Sequence, residues 1–178
     1  EFRRVLFRSH PVVPANQVRP PFWRKDYVEQ RLLCSSYHLA QRNLPAYAQA
    51  LADWRPEVIH GYPSALYILA RAGGACRPRA VFTASETLLD FQRTAIAAAF
   101  DAPVFNWYGN TEMTCNIIGC AAGRLHYRTD YGYLELDEHS QLIATGLHNR
   151  AMPLIRYQLG DVARSEEHTS ELQSQFRI

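Results

Sequence analysis

The chain has 178 residues, 47% of them hydrophobic and 20% charged, with a formal net charge of +2. That is enough apolar material to bury a core in a single domain. No clustered basic residues mark a nucleic-acid footprint, and no apolar run approaches the roughly 18 residues that a membrane-spanning helix requires.

The two ends of the chain are related through the genetic code. Residues 1–9 read EFRRVLFRS and residues 164–172 read RSEEHTSEL. The codons GAG TTC AGA CGT GTG CTC TTC CGA TCT encode the first stretch, and their reverse complement encodes the second. Such an inverted match marks a translated sequencing-library adapter, which Gln173 and Ser174 continue. Residues 1–9 and 164–178 are therefore expected to be adapter-derived and outside the fold. Residues 10–163 are expected to be an internal piece of a larger domain. Removing the five basic and four acidic flanking residues leaves 14 Lys+Arg against 13 Asp+Glu, close to neutrality. Cys34, Cys76, Cys115 and Cys120 are scattered and no secretory signal is present, so reduced thiols and a cytoplasmic location are expected.

Residues 10–21 hold four prolines and read as an extended entry segment. From Trp23, RKDYVEQRLLCSSYHLA reads as a helix with Tyr27, Leu32 or Leu33, Tyr37 and Leu39 on one face. Asn43 caps a second helix, LPAYAQALADW, with Leu44, Tyr47, Ala48 and Leu51 at helical spacing. EVIHGYP reads as a short strand and SALYILARAGG as a helix, with Pro63 near its first turn and Gly73-Gly74 at its stop. RAVFTASE is the next strand. A helix then starts at Thr87, with Asp90 as a weak capping box and a buried stripe of Leu88, Phe91, Ala95 and Ala98 or Ala99. APVFNWYG is a third strand. This alternation implies parallel pairing with helices on the faces. From Arg124 the chain turns to short β-like runs, RLHYRTDYGYLELD, QLIATGL and PLIRYQLGDVA, which read as antiparallel. The fold class is thus α/β, a partial parallel sheet with flanking helices followed by an antiparallel β portion.

Ligands in open α/β sheets bind at the carboxyl ends of strands. Those ends carry HGYPS (His60–Ser64), TASET (Thr83–Thr87) and NWYGNTE (Asn106–Glu112), and the β-rich half ends in RYQLGD (Arg156–Asp161). Tyr108 offers a flat ring suited to stacking on a base. Gly109 permits close backbone approach to a ligand. Thr111 has a hydroxyl and an N–H for a phosphate oxygen. Glu112 is a hard oxygen ligand of the kind that holds Mg²⁺ against phosphates.

TASE, WYGNTE and RYQLGD, in this order and with about 45 residues between the last two, resemble the adenylate-forming superfamily of acyl-CoA synthetases. HGYPSALYILAR, LHYRTDYGYLEL and NRAMPLIRYQLGDVA place the resemblance in the phenylacetate–CoA ligase and capsule-biosynthesis adenylating branch. It covers nearly all of residues 23–163, the central part of an adenylation N-terminal domain. The resemblance implies that Ser85 and Glu86 line the adenine edge, Tyr108 stacks on adenine, Thr111 binds the α-phosphate and Glu112 holds magnesium. It also implies that Asp161 binds both ribose hydroxyls, although Leu159 stands where many relatives have a threonine or arginine nearby. His60, Tyr62 and Trp107 fall where the family's acyl pocket approaches the sheet.

The implied activity is that of an AMP-forming acid–thiol ligase using ATP, Mg²⁺, a small carboxylic acid and coenzyme A. The family's phosphate loop with its lysine is not found in residues 10–107. Its C-terminal lysine would follow Asp161, where adapter stands instead, so this piece alone is expected to be inactive. Alternatives are an adenylating enzyme of polysaccharide biosynthesis with another acceptor, and a non-catalytic nucleotide-binding module. More ordinary readings also stand: a strand-end turn with a helix cap at Asn110–Glu112, a β-turn aspartate at Asp161, a core turn at His60, and Glu86 merely preceding Thr87. Cys115, Cys120 and His126 raise the question of zinc, against which small buried thiols are the simpler account. Arg128 and Asp130 are placed to pair on a strand face.

Overall fold

The computed structural model describes residues 2–8, 11–120, 123–166 and 175–177. It divides into two compact units, Glu1–Val104 and Phe105–Ile178.

In the first unit five strands, β1 (Arg4–Arg8), β2 (Trp23–Asp26), β3 (Arg31–Ser35), β4 (Val58–Gly61) and β5 (Ala80–Ala84), lie in the order β5-β4-β1-β3-β2. Neighbours run parallel except β2, which pairs antiparallel with β3. Three helices, α1 (Leu44–Trp54), α2 (Pro63–Arg71) and α3 (Asp90–Phe100), alternate with the strands along the chain. The apolar stripe of α1 is the one its spacing requires: Leu44, Tyr47, Leu51 and Trp54 are buried in the same core as Ile59, Leu66, Val81 and Ile96. Pro63 opens α2 at its first position, where a missing N–H costs nothing.

Four readings differ here. Within the segment expected to be adapter-derived, Arg4–Arg8 form the strand between β3 and β4. That slot is flanked by strands on both sides. Val5 and Phe7, alternate residues of this strand, are 0% and 3% exposed. The helix expected from Trp23 is instead a β2–β3 hairpin. Leu32 and Cys34 are fully buried two residues apart, the period of a strand. The Asp26 carboxylate accepts the Glu29 N–H and pairs with Arg31 across the turn, while Gln30 takes φ +50°. Finally, α3 begins at Asp90 rather than Thr87 and buries Gln92, Ile96 and Phe100, leaving Phe91 exposed. The side chain of Gln92 turns back to accept the Leu89 N–H, so the cap forms two residues along from the one the sequence suggests. Asn43 likewise makes no side-chain cap on α1; its amide donates to the His38 carbonyl.

The second unit is antiparallel throughout. One sheet holds β6 (Val104–Gly109), β7 (Asn116–Gly119), β8 (Leu125–Tyr127), β12 (Arg164–Glu166) and β13 (Gln175–Arg177) in the order β12-β13-β8-β7-β6. The other holds β9 (Gly132–Leu136), β10 (Gln141–Gly146) and β11 (Tyr157–Val162) in the order β11-β10-β9. A small core of Cys115, Ile117, Leu134, Leu142, Ala144 and Ala163 joins them, with Tyr108 and Leu159 packed on it. Backbone expected to be tail therefore pairs as strands at 164–166 and 175–177. Residues 167–174 and 178, together with residues 1, 9 and 10, lie outside the described residues.

Candidate functional site

The stretch after β6 folds on itself through Asn110. Its side-chain oxygen accepts the N–H of Thr114 at 3.0 Å and of Cys115 at 3.4 Å, and its amide donates to the Thr114 hydroxyl at 2.7 Å. Its carbonyl accepts the Met113 N–H at 3.2 Å. Met113 takes φ +57° to close the turn. No helix follows; the chain returns as β7, with Gly109 opposite Asn116. The ordinary reading of a helix cap at this corner is therefore replaced by an asparagine-bracketed turn that presents Thr111 and Glu112. Gly109 is exposed, and a methyl group there would make only ordinary contacts at 3.6 Å or more.

This turn rests on two glycines of the second sheet. Gly132 and Gly146 are cross-strand partners on β9 and β10. A Cβ on Gly132 would fall 2.1 Å from the Thr114 carbonyl oxygen, and one on Gly146 would fall 3.3 Å from the Met113 carbonyl oxygen. The bare pair lets the signature turn press onto the sheet that carries β11.

At the start of β11, Arg156 takes φ +51°, its N–H held by the Thr145 hydroxyl at 2.9 Å and its guanidinium by Glu135 at 3.3 Å. This kink leaves Ile155 and Arg156 exposed and turns Tyr157 to a half-buried position. The Tyr157 hydroxyl donates to Glu112 Oε1 at 3.4 Å. Further along β11, Asp161 Oδ2 accepts the Tyr108 hydroxyl at 2.5 Å. Burial first, then the Asp161 hydrogen bond, pushes the Tyr108 phenol far above its ordinary value, so it remains a donor. The Cys115 thiol is pushed up to about 11, chiefly by burial and then by the charges of Asp161 and Glu112. Tyr108, Glu112 and Asp161 are thus drawn into one cluster by residues 45 to 53 positions apart in sequence. Thr111 sits exposed on the same turn. Trp107 is 40% exposed and donates through Nε1 to Asn116 Oδ1 at 2.8 Å.

The other candidates belong to the first unit. Ser85, directly after β5, takes φ +69°, a conformation that costs a non-glycine residue energy. Glu86 already has work. Its two carboxylate oxygens accept the Ser64 N–H at 3.0 Å and the Ser64 hydroxyl at 2.9 Å. It caps α2 from outside, where Tyr62 at the helix boundary makes no side-chain cap. His60 is half-buried in β4 opposite Phe82 of β5, and Tyr62 packs against the core. A cavity of about 400 Å³, lined in part by Arg55, Glu57, Cys76, Arg77 and Arg79, sits beside the N-terminal ends of β4 and β5, the edge opposite the one where such sheets hold ligands.

Among the described residues no group of three or more His, Cys, Asp and Glu side chains is gathered as a metal cage. Cys115, Cys120 and His126 do not form one, and His126 Nδ1 is buried without a hydrogen-bond partner. The Glu112 carboxylate suits Mg²⁺ better: Oε1 is engaged by Tyr157, and no hydrogen bond among the described residues falls on Oε2. Magnesium commonly takes one or two protein carboxylates and completes its shell with water and phosphate oxygens. Arg128 and Asp130 pair at 2.6 Å, both exposed, but in the turn between β8 and β9 rather than on a strand face.

Sequence reasoning singles out Asn110 only as a helix cap, not as the bracket of the turn, and misses Gly132, Gly146 and Tyr157. The signal for Tyr157 was present in RYQLGD, and the glycines were present in DYGYLEL and ATGL.

No family model matches the sequence. The chain is similar to Protein CapK of Staphylococcus aureus, at 32% identity over 174 residues, covering 92% of this chain and 39% of CapK. It thus spans about two fifths of the length of that curated relative. Its structure is similar to an open conformation of 2-hydroxyisobutyryl-CoA ligase in complex with 2-HIB-AMP and CoA, with a TM-score of 0.65 and 17% identity over 84% of this chain and 40% of the ligase. Coronafacic acid ligase from Pectobacterium brasiliense aligns with a TM-score of 0.51 and 13% identity over 81% of this chain and 33% of that one. The fold is that of part of an adenylate-forming ligase domain.

Proposed function

We propose that the chain belongs to the adenylate-forming acyl-CoA synthetases and that the full-length protein activates a carboxylic acid with ATP. The observation that carries this reading is the cluster on the second unit: the Tyr108 hydroxyl on Asp161, with Glu112 in the same electrostatic field. The ligase fold and the likeness to CapK support it.

In this reading a substrate carboxylate oxygen bonds to the α-phosphorus of ATP as the bond to pyrophosphate breaks. An acyl-adenylate remains. The sulfur of coenzyme A then attacks the acyl carbon, its proton is lost, and AMP leaves. Both partners of the first step are anionic, so catalysis must come from positioning and charge neutralisation. Tyr108 supplies a ring for adenine, Asp161 accepts from the ribose hydroxyls, and Thr111 donates to the α-phosphate. Glu112 would hold Mg²⁺, which supplies charge neutralisation at the phosphates. Among the described residues no hydrogen bond falls on Asp161 Oδ1, which would take a ribose hydroxyl while Tyr108 shares or yields Oδ2. Ser85 and Glu86 are the candidates for the adenine edge, with Ser85 favoured because Glu86 is committed to α2. His60 and Tyr62 on the first unit, and Trp107 on the second, are each candidates for contact with the acid, and an aryl or arylacetic acid suits their aromatic character.

A second reading keeps the adenylation and changes the acceptor to an amine or a carrier protein of polysaccharide biosynthesis. ATP–pyrophosphate exchange by the full-length protein tests the shared step, and product analysis with and without coenzyme A separates the two acceptors. Exchange is expected with wild type and is expected to fall by orders of magnitude in Glu112→Ala; wild-type exchange in that variant refutes the assignment of Glu112. The 178-residue chain, whose single lysine is the exposed Lys25 of β2, is expected to bind nucleotide without exchange.

A further inference from the structure

The adenylation reading gives Glu112 a cation to hold but leaves unexplained what fixes the orientation of its carboxylate. An unrestrained carboxylate rotates about its last torsion and offers a cation either oxygen or both. In this fold one oxygen is already taken. Tyr157 donates to Oε1, and its own place is fixed by a strained backbone one residue earlier, at Arg156. Two anchors hold that kink, the Thr145 hydroxyl on the Arg156 N–H and Glu135 on the guanidinium. The opposing turn is bracketed by Asn110. Donor and acceptor are therefore presented by two independently braced segments.

We infer that Tyr157 is a positioning residue: its hydroxyl holds Glu112 Oε1 and so presents Oε2 as a single-oxygen ligand to a divalent cation. The inference deepens the adenylation reading and rests on it. Loss of one such hydrogen bond corresponds to a loss of about 3- to 10-fold in cation affinity. It should leave metal-free nucleotide binding unchanged, because the phenol touches the carboxylate rather than the nucleotide.

The test uses the 178-residue chain with Mn²⁺ as the probe, its affinity read as the binding of the Mn²⁺–ATP complex by calorimetry beside the binding of metal-free ATP. Tyr157→Phe keeps the ring and removes only the hydroxyl. It is expected to raise the Mn²⁺ dissociation constant about 3- to 10-fold with the metal-free ATP affinity unchanged. In the Glu112→Gln background the same substitution is expected to add nothing. An unchanged Mn²⁺ affinity in Tyr157→Phe overturns the inference and leaves the nucleotide reading standing. Equal losses in Mn²⁺ and metal-free ATP binding, or an undiminished effect in the Glu112→Gln background, overturn it too, since they mark a packing role. A wild-type chain that binds no Mn²⁺ with ATP overturns the nucleotide reading and this inference with it.

Discussion

Placing a methyl group on Gly132 should damage both the stability of the second unit and its site. The Cβ would lie 2.1 Å from the Thr114 carbonyl oxygen, whereas ordinary contact begins at 3.4 Å. Either the β9–β10 hairpin or the Thr114 backbone must retreat by more than about an ångström, since overpacked backbone cannot be relieved by a rotamer change. Retreat is opposed on one side by the Asn110 brackets and on the other by the Gly132–Gly146 register. Overpacking of this kind costs roughly 1–3 kcal/mol, or about 2–12 °C in melting temperature for a chain this long. Gly146→Ala, with 3.3 Å to the Met113 carbonyl, should cost less, because a shift of a few tenths of an ångström relieves it. Urea unfolding followed by circular dichroism measures both, and nucleotide titration reports on the turn. A Gly132→Ala chain as stable as wild type, or less perturbed than Gly146→Ala, would refute the seat assigned to the turn.

Removing residues 1–8 should abolish cooperative unfolding of the first unit, because β3 and β4 lose the strand between them; an unchanged transition on circular dichroism would show that this strand is dispensable. Glu86→Ala should cost about 0.5–2 kcal/mol through loss of the α2 cap, and Ser64→Ala should reproduce part of the loss; neither change appearing in urea titrations would free Glu86 for another role. Stability should fall as pH rises from about 9 to 11. The folded chain keeps the Cys115 and Cys76 thiols protonated up to about 11, while the unfolded chain releases those protons near 9. The unfolded state then binds fewer protons, and alkali favours it. Cys115→Ala should flatten that slope in unfolding curves taken across this range, and an equally steep slope would contradict the burial assigned to the thiol.

The sequence is most legible where periodicity and punctuation agree. α1 and α2 begin and end where their stripes, Pro63 and the Gly73-Gly74 pair put them. It misleads where a short apolar run satisfies both periods: LLCSS fits a helical face as well as a strand, and only pairing with β1 decides. Residues 1–9 were excluded on a codon argument that says nothing about packing, and Val5 and Phe7 suit a buried strand whatever their origin. At the site, the motif residues Tyr108, Glu112 and Asp161 are visible as types in a pattern. What holds them is not, because Gly132 and Tyr157 act through contacts made only once two strands have paired. Glu86 shows the converse. Its place in TASE gives no hint that Ser64, 22 residues away, has claimed both its oxygens.

In the proposed reading Tyr108, Glu112 and Asp161 serve one ribonucleotide. Calorimetric titration of the chain with AMP and with 2′,3′-dideoxy-AMP decides whether they do. AMP should bind more tightly than the dideoxy form, and Asp161→Ala should erase the difference while Tyr108→Ala weakens both. Equal affinity for the two nucleotides in the unaltered chain, or a preference that survives Asp161→Ala, would contradict it.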